Sequence, residues 1–142
     1  NKDLVKKNLV SAYEALLSDQ ADFGNFTTIT DQRELNIAHH YANYILKSFR
    51  ALVPEVNLSC DFDINKGPLH KRPDIILHER GNFDHQLLVV EIKLNGKASA
   101  KDTELDRIRR DWFGSLGYQF GAYVDIDRNS AAIIEVTVLE NR

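Results

Sequence analysis

Two carboxylates and an amine stand out in the middle of the chain: Asp74, directly after Pro73, and the triplet Glu91-Ile92-Lys93. Residues two apart on a β-strand point to the same face, so Glu91 and Lys93 project together while Leu88, Val90, Ile92 and Leu94 project to the other side. Two charges therefore interrupt an otherwise apolar strand, and a charge taken out of water needs a counter-charge or a metal. Asp74 supplies a partner. If the strands around Gly81 to Asp84 form an antiparallel hairpin with those residues as its loop, Asp74 falls opposite Glu91; a slip by two residues leaves it on the same face, opposite Val89. Directly opposed side chains have Cβ atoms about 4.5–5.5 Å apart. Carboxylates at that separation repel unless a divalent cation lies between them or one takes a proton. An all-oxygen ligand set suits magnesium or manganese rather than zinc.

The elements that must hold these residues follow from periodicity. Leu4, Val5, Leu9, Ala12, Tyr13, Leu16 and Leu17 recur at helical spacing, predicting a helix from about Asp3 to Ser18. A second helix is expected from near Asp31, where Asp31 and Glu34 stand at capping-box spacing, to just before Pro54, with Ala38, Tyr41, Ala42, Ile45 and Phe49 inward. The period then changes to alternation over Val56 to Ile64, a half-buried strand. Asp74 to Glu79 and Gln86 to Leu94 read as two further strands. A third helix is expected over roughly Lys101 to Leu116, stopped by Gly117. Strands at Tyr118 to Ile126 and Ala132 to Leu139 complete the order α-α-β-β-β-α-β-β, one mixed α/β domain over residues 1–142.

Several residues around this frame admit a functional and a plain structural reading. Glu34 lies in line with the inward face of the second helix, one turn ahead of Ala38, and is a candidate third carboxylate; alternatively it only closes the capping box with Asp31. Arg109 falls near the centre of the third helix's stripe of Leu105, Ile108, Trp112, Phe113 and Leu116, where a guanidinium must pair. It either reaches the rim of the site and holds a substrate phosphate or orients Glu91, or pairs with a nearby carboxylate such as Asp102 or Asp106. His70, Lys71 and Arg72 precede Asp74 and either track a nucleic-acid backbone by charge neutralisation or form a solvated loop. Lys97, Lys101, Arg107 and Arg110 would extend that basic face, but Arg107 and Arg110 are expected to point away from the inner stripe of their helix.

Composition narrows the classes. Of 142 residues, 43% are hydrophobic and 27% charged, which excludes a disordered tail. Apolar runs reach no further than four residues, as in Leu87 to Val90, against about 20 for a bilayer crossing. The single cysteine, Cys60, rules out an internal disulfide framework and a cysteine-based zinc site. A reducing, cytoplasmic location is expected. With 18 basic and 21 acidic residues the net charge is −3, which disfavours a protein that coats DNA by charge alone but leaves room for a nucleic-acid enzyme whose charge is supplied by metal ions. No G-x-x-x-x-G-K motif is present, so P-loop chemistry has no support.

Pro73-Asp74, a gap, then Glu91-Ile92-Lys93 resembles the motif of the PD-(D/E)XK nuclease superfamily. The order of predicted elements is similar too, with the family's α-β-β-β-α-β unit running from the Asp31 helix through the strand at Tyr118. The resemblance implies a restriction-endonuclease-like three-layer core, a central mixed β-sheet flanked by helices. It further implies that Asp74, Glu91, the backbone carbonyl of Ile92 and Glu34 are metal ligands for Mg2+ or Mn2+. Lys93 would position or help deprotonate the attacking water, and Lys71, Arg72 and Arg109 would contact nucleic acid. The implied activity is hydrolysis of DNA phosphodiester bonds, by endonuclease action leaving a 5′ phosphate, with RNA left open. A homodimer, or a fused or partner recognition domain, would supply specificity. The competing reading is a nuclease-like domain that binds nucleic acid or serves assembly without turnover.

Overall fold

A computed structural model describes residues 1–19, 33–62, 73–94, 98–127, 130 and 132–142, and for residues 33–36, 62, 82–85 and 98 it describes the backbone alone. Its helices are α1 (Lys2–Asp19), α2 (Arg33–Leu52) and α3 (Ala98–Arg107), the last continuing as a π-helical segment, Ile108–Ser115. The strands are β1 (Ser59–Phe62), β2 (Ile75–Glu79), β3 (Asn82–Leu94), β4 (Phe120–Ile126) and β5 (Ile133–Glu140). They form one five-stranded sheet in the order β1-β2-β3-β4-β5. All neighbours are antiparallel except β3 and β4, which are parallel. Parallel neighbours cannot be joined by a tight turn, and α3 with its π-helical continuation provides the crossover. The chain is thus mixed α/β, and among the described residues the elements follow the expected order and no helix is long and apolar enough to cross a membrane.

Alternation along the strands divides the sheet into two apolar faces. Ile75, Leu77, Leu88, Val90, Ile92, Ala122, Val124 and Ile126 pack with α1 and α2 into the larger core. There α1 and α2 meet through an edge-on contact of the Tyr13 and Tyr41 rings, centroids 5.0 Å apart, and the Tyr41 hydroxyl donates to the Leu9 carbonyl at 2.6 Å. Cys60 packs at the margin of this core, and burial pushes its thiol up to about 12. Ile76, Val89 and Tyr123, on the reverse face, pack with Leu105, Ile108, Trp112 and Tyr118 into a smaller core under α3. Glu91 and Lys93 share the side of β3 that carries Val89, so they face α3 and not α1 or α2.

The β2–β3 hairpin reaches its register by a different route from the one expected. Arg80 and Gly81 make a two-residue turn, with Gly81 at φ 76°, a conformation that costs a residue without a Cβ little. Near the turn Glu79 pairs with Asn82 and His78 with Gln86, and bulges on either side of the His78 pair insert extra β3 residues. Beyond the bulges the pairs are Leu77 with Leu88, Ile76 with Val89 and Ile75 with Val90, the register expected for a four-residue loop. At the outer edge, Asp61 on β1 is held across the sheet by Arg80 and by the His78 Nε2 at 2.7 Å. The first β-strand is shorter than the Val56 to Ile64 alternation suggests, and its expected continuation at Ile64 lies outside the described residues.

Two features fix α3 against the sheet. Lys101 forms an ion pair with Glu135 on β5, and the Gln86 side-chain amide donates to the Leu116 carbonyl at the far end. Between them, Ile108 packs so closely on β4 that a Cβ at Gly121 would sit 2.3 Å from its Cγ2. Ile108 Cγ2 is attached directly to a branched Cβ and has no flexible arm to yield. The helix then widens from α to π, as the Leu116 N–H bond to the Asp111 carbonyl marks, and ends at Gly117 with φ 71°.

Gly121→Ala is expected to cost about 1–3 kcal/mol by overpacking, and less in an Ile108→Ala background; urea denaturation of the four proteins of this double-mutant cycle measures the difference. A second outcome concerns acid. Hydrogen bonding from Arg80, then from His78, holds the Asp61 carboxyl below its ordinary value of 3.8. The stability this adds is complete above the unfolded-state value and is lost as pH falls through the lower folded-state value. Asp61→Asn therefore lowers the urea midpoint at about pH 7, and wild type and variant converge as acidification carries the pH below the ordinary carboxyl value of 3.8 and through the lower folded-state value.

Candidate active site

Pro73 has no N–H to contribute to a ladder, so β2 begins just beyond it and Asp74 sits at the bend that leads into the strand. Continuing the β2–β3 register by one step past Ile75 and Val90 sets Asp74 opposite Glu91. The Ile92 N–H donates to Asp74 Oδ2 at 2.6 Å, which anchors the carboxylate against β3. Three of the sequence-predicted residues, Asp74, Glu91 and Lys93, are thereby brought together with the backbone of Ile92.

Glu91 is only 4% exposed, and its Oε1 is buried without a hydrogen-bond partner among the described residues. Burial pushes its carboxyl well above the usual carboxylate range; the negative charges of Asp74 and Glu104 push the same way, while Arg107 and Lys93 oppose. A buried carboxylate oxygen with no donor costs free energy unless a cation or a proton meets it.

Two adjoining elements bring further acidic charge to this face, missed in the sequence. In the parallel β3–β4 register Lys93 is paired with Asp125, which is 7% exposed. From α3, Glu104 is buried at 5% exposure and accepts a hydrogen bond from Arg107 Nη1 at 3.2 Å. The signal for Asp125 was an acid interrupting the apolar strand Ala122 to Ile126, but only the parallel register places it beside Lys93. Glu104 precedes Leu105, so both fit a helix face one position offset from the stripe inferred from apolar residues alone.

Arg109 does not join the site. Its side chain is 57% exposed and pairs with Asp106 at 3.5 Å, the alternative partner named above. The reason is the change of helix type at Ile108. The wider i to i+5 hydrogen bonding shifts the phase, so that Ile108, Asp111 and Trp112 face inward and Arg109 turns out. Arg107, expected to face away, instead lies against Glu104 on the inner side. The helix carrying Glu34 packs on the opposite face of the sheet from Glu91; the Glu34 side chain itself lies outside the described residues. Asp31, Lys71 and Arg72, with His70, also lie outside them.

The sequence matches no protein-family model and no curated protein. Chemistry of the donor set is what speaks to a metal. Among the described residues no group of three or more His, Cys, Asp and Glu side chains is gathered to hold one. The candidate ligands are two carboxylates and a backbone carbonyl, a set that fits Mg2+ or Mn2+, which keep several waters and bind through one or two carboxylates. The buried, partnerless Glu91 Oε1 fits the same ion.

Glu91→Gln retains shape and removes the charge. In metal-free buffer it is expected to raise stability by about 0.5–2 kcal/mol, read as a higher urea midpoint; a midpoint lower than wild type would show that Glu91 is already compensated within the fold.

Proposed function

We propose that this chain is a metal-dependent nuclease that hydrolyses DNA phosphodiester bonds, the activity implied by its resemblance to the PD-(D/E)XK superfamily. One observation carries the reading: Glu91, buried and with an oxygen lacking any partner among the described residues, stands beside Lys93 and opposite the anchored Asp74. A fold does not maintain a buried carboxylate beside two other acids for stability, since the arrangement opposes folding. Such groups collect where chemistry needs them.

In this reading Asp74, Glu91 and the Ile92 carbonyl would hold Mg2+ or Mn2+, while Glu34, on a helix that packs on the opposite face of the sheet, is set aside as a ligand. When bound, the ion neutralises charge on the phosphate and lowers the pKa of water. The protein's own groups do the rest. Asp74 is kept in place by the Ile92 N–H, so its position does not depend on side-chain freedom. Lys93 projects from the same face as Glu91, where its ammonium orients the attacking water and offsets negative charge that grows in the transition state. Lys71 and Arg72 precede Asp74 in the chain and would contact the DNA backbone.

Plasmid DNA and single-stranded DNA and RNA oligonucleotides, incubated with and without Mg2+ or Mn2+, test the proposal. Metal-dependent cutting is expected, lost in Asp74→Ala and reduced about 10²–10⁴-fold in Lys93→Ala. Binding of DNA with no cutting under either metal would instead favour a nuclease-like binding module. Cutting that persists in both variants would place the activity elsewhere.

A further inference from the structure

Arg107 is the one guanidinium that α3 turns toward the Glu91 face, and it is not left to find its own place. Its Nη1 donates to Glu104 Oε2 at 3.2 Å, and Glu104 is 5% exposed, fixed on the face of α3 that packs against the sheet. The helix itself is tied down by Lys101 to Glu135 on β5 and by the close fit of Ile108 over Gly121. Arg107 remains about one-third exposed, at 32% for the side chain. A guanidinium has five N–H donors in a planar fork, and a single hydrogen bond to Glu104 leaves most of them for another acceptor. The other exposed arginines of this segment differ. Arg109 is 57% exposed and leans on the exposed Asp106, while Arg110, though 69% exposed, has its fork already engaged by the buried Asp111 beside it through Nε and Nη2.

We propose that Arg107 contacts a phosphate of the nucleic-acid backbone next to the Asp74, Glu91 and Lys93 site, and that Glu104 is its positioning residue. The physical case is preorganisation. A buried carboxylate grips the guanidinium through one nitrogen and leaves its other donors for a further acceptor, close enough to Glu91 for the Arg107 charge to act on that carboxyl, an arrangement suited to a charge-assisted clamp for an oxyanion. It also answers an electrostatic difficulty. Asp74, Glu91, Glu104 and Asp125 make this face acidic, and a polyanion approaching it needs a fixed cation besides Lys93. Arg107 cannot be replaced there by lysine without losing the fork. The inference rests on the nuclease reading for its ligand but not on turnover, since binding is measured without cleavage.

The experiment is fluorescence anisotropy of a labelled DNA duplex in metal-free buffer over a series of salt concentrations, with wild type, Arg107→Gln, Arg107→Lys, Glu104→Ala, Glu104→Gln and Arg110→Gln, each shown to fold by its urea transition. Arg107→Gln is expected to weaken binding about tenfold and to reduce the slope of log affinity against log salt by about one. Arg107→Lys keeps the slope but not the full affinity. Glu104→Ala weakens binding and Glu104→Gln, which still accepts from Arg107, restores it. Arg110→Gln stays within about twofold of wild type. An unchanged slope and affinity in Arg107→Gln overturns the proposal, as does Arg110→Gln matching its loss. If wild type binds and Arg107→Gln behaves as expected while no metal supports cleavage, the contact stands and the nuclease activity falls. If wild type does not bind DNA under these conditions, the Arg107 contact falls, and metal-dependent cleavage alone decides the nuclease reading.

Discussion

The burial of one carboxylate organises one face of this molecule's sheet. Glu91 projects from the central strand of the sheet into the space covered by α3, where water cannot reach it freely and where Asp74 and Glu104 add like charge. Apolar burial elsewhere must outweigh that cost. The larger core of α1, α2 and the even-numbered side of β3 contributes most of the burial, and it leaves the other side of the same strand to carry the charges. A strand buried on both faces, one apolar and one charged, is a way to hold reactive groups on a backbone that has no room to move.

Rigidity around Glu91 comes from three kinds of contact. The Ile92 N–H ties the bend at Asp74 to β3, so two carboxylates from different strands keep a constant relation. The parallel pairing with β4 sets Asp125 beside Lys93. Overhead, the smaller core of Ile76, Val89, Leu105, Ile108 and Trp112 sets the height of α3, and the absence of a side chain at Gly121 lets the helix approach. The positions of Glu104 and Arg107 follow from that approach. Backbone geometry, apolar packing and ion pairing thus converge on one place, which is the pattern of a preorganised site.

The π-helical turn after Arg107 shows how a local change in helix type redistributes charge. Under regular α geometry Arg109 would fall on the inner stripe with Ile108 and Trp112. The segment instead turns Arg109 and Arg110 outward beside Asp106 and Asp111, and leaves Arg107 as the arginine on the inner side. Trp112 stays fully buried with its Nε1 unpartnered among the described residues, a sign that packing of the indole outweighs hydrogen bonding at this point.

Much of the frame was legible in the chain. Apolar periodicity is a property of neighbouring residues, so the order of helices and strands, the two faces of β3 and the convergence of Asp74 with Glu91 and Lys93 could be read directly. Even there the hairpin register was reached through bulges and a tight Arg80-Gly81 turn, because alternation constrains which face a residue takes and not how the loop is built. What lay beyond reading was set by contacts between distant segments. Parallel pairing of β4 decided that Asp125 joins the site, and the docking of α3, phased by a π turn that no residue pattern announces, decided that Glu104 and Arg107 enter and Arg109 leaves. Local spacing dictates which side of an element a group occupies; only packing of one element on another dictates which groups from separate elements meet.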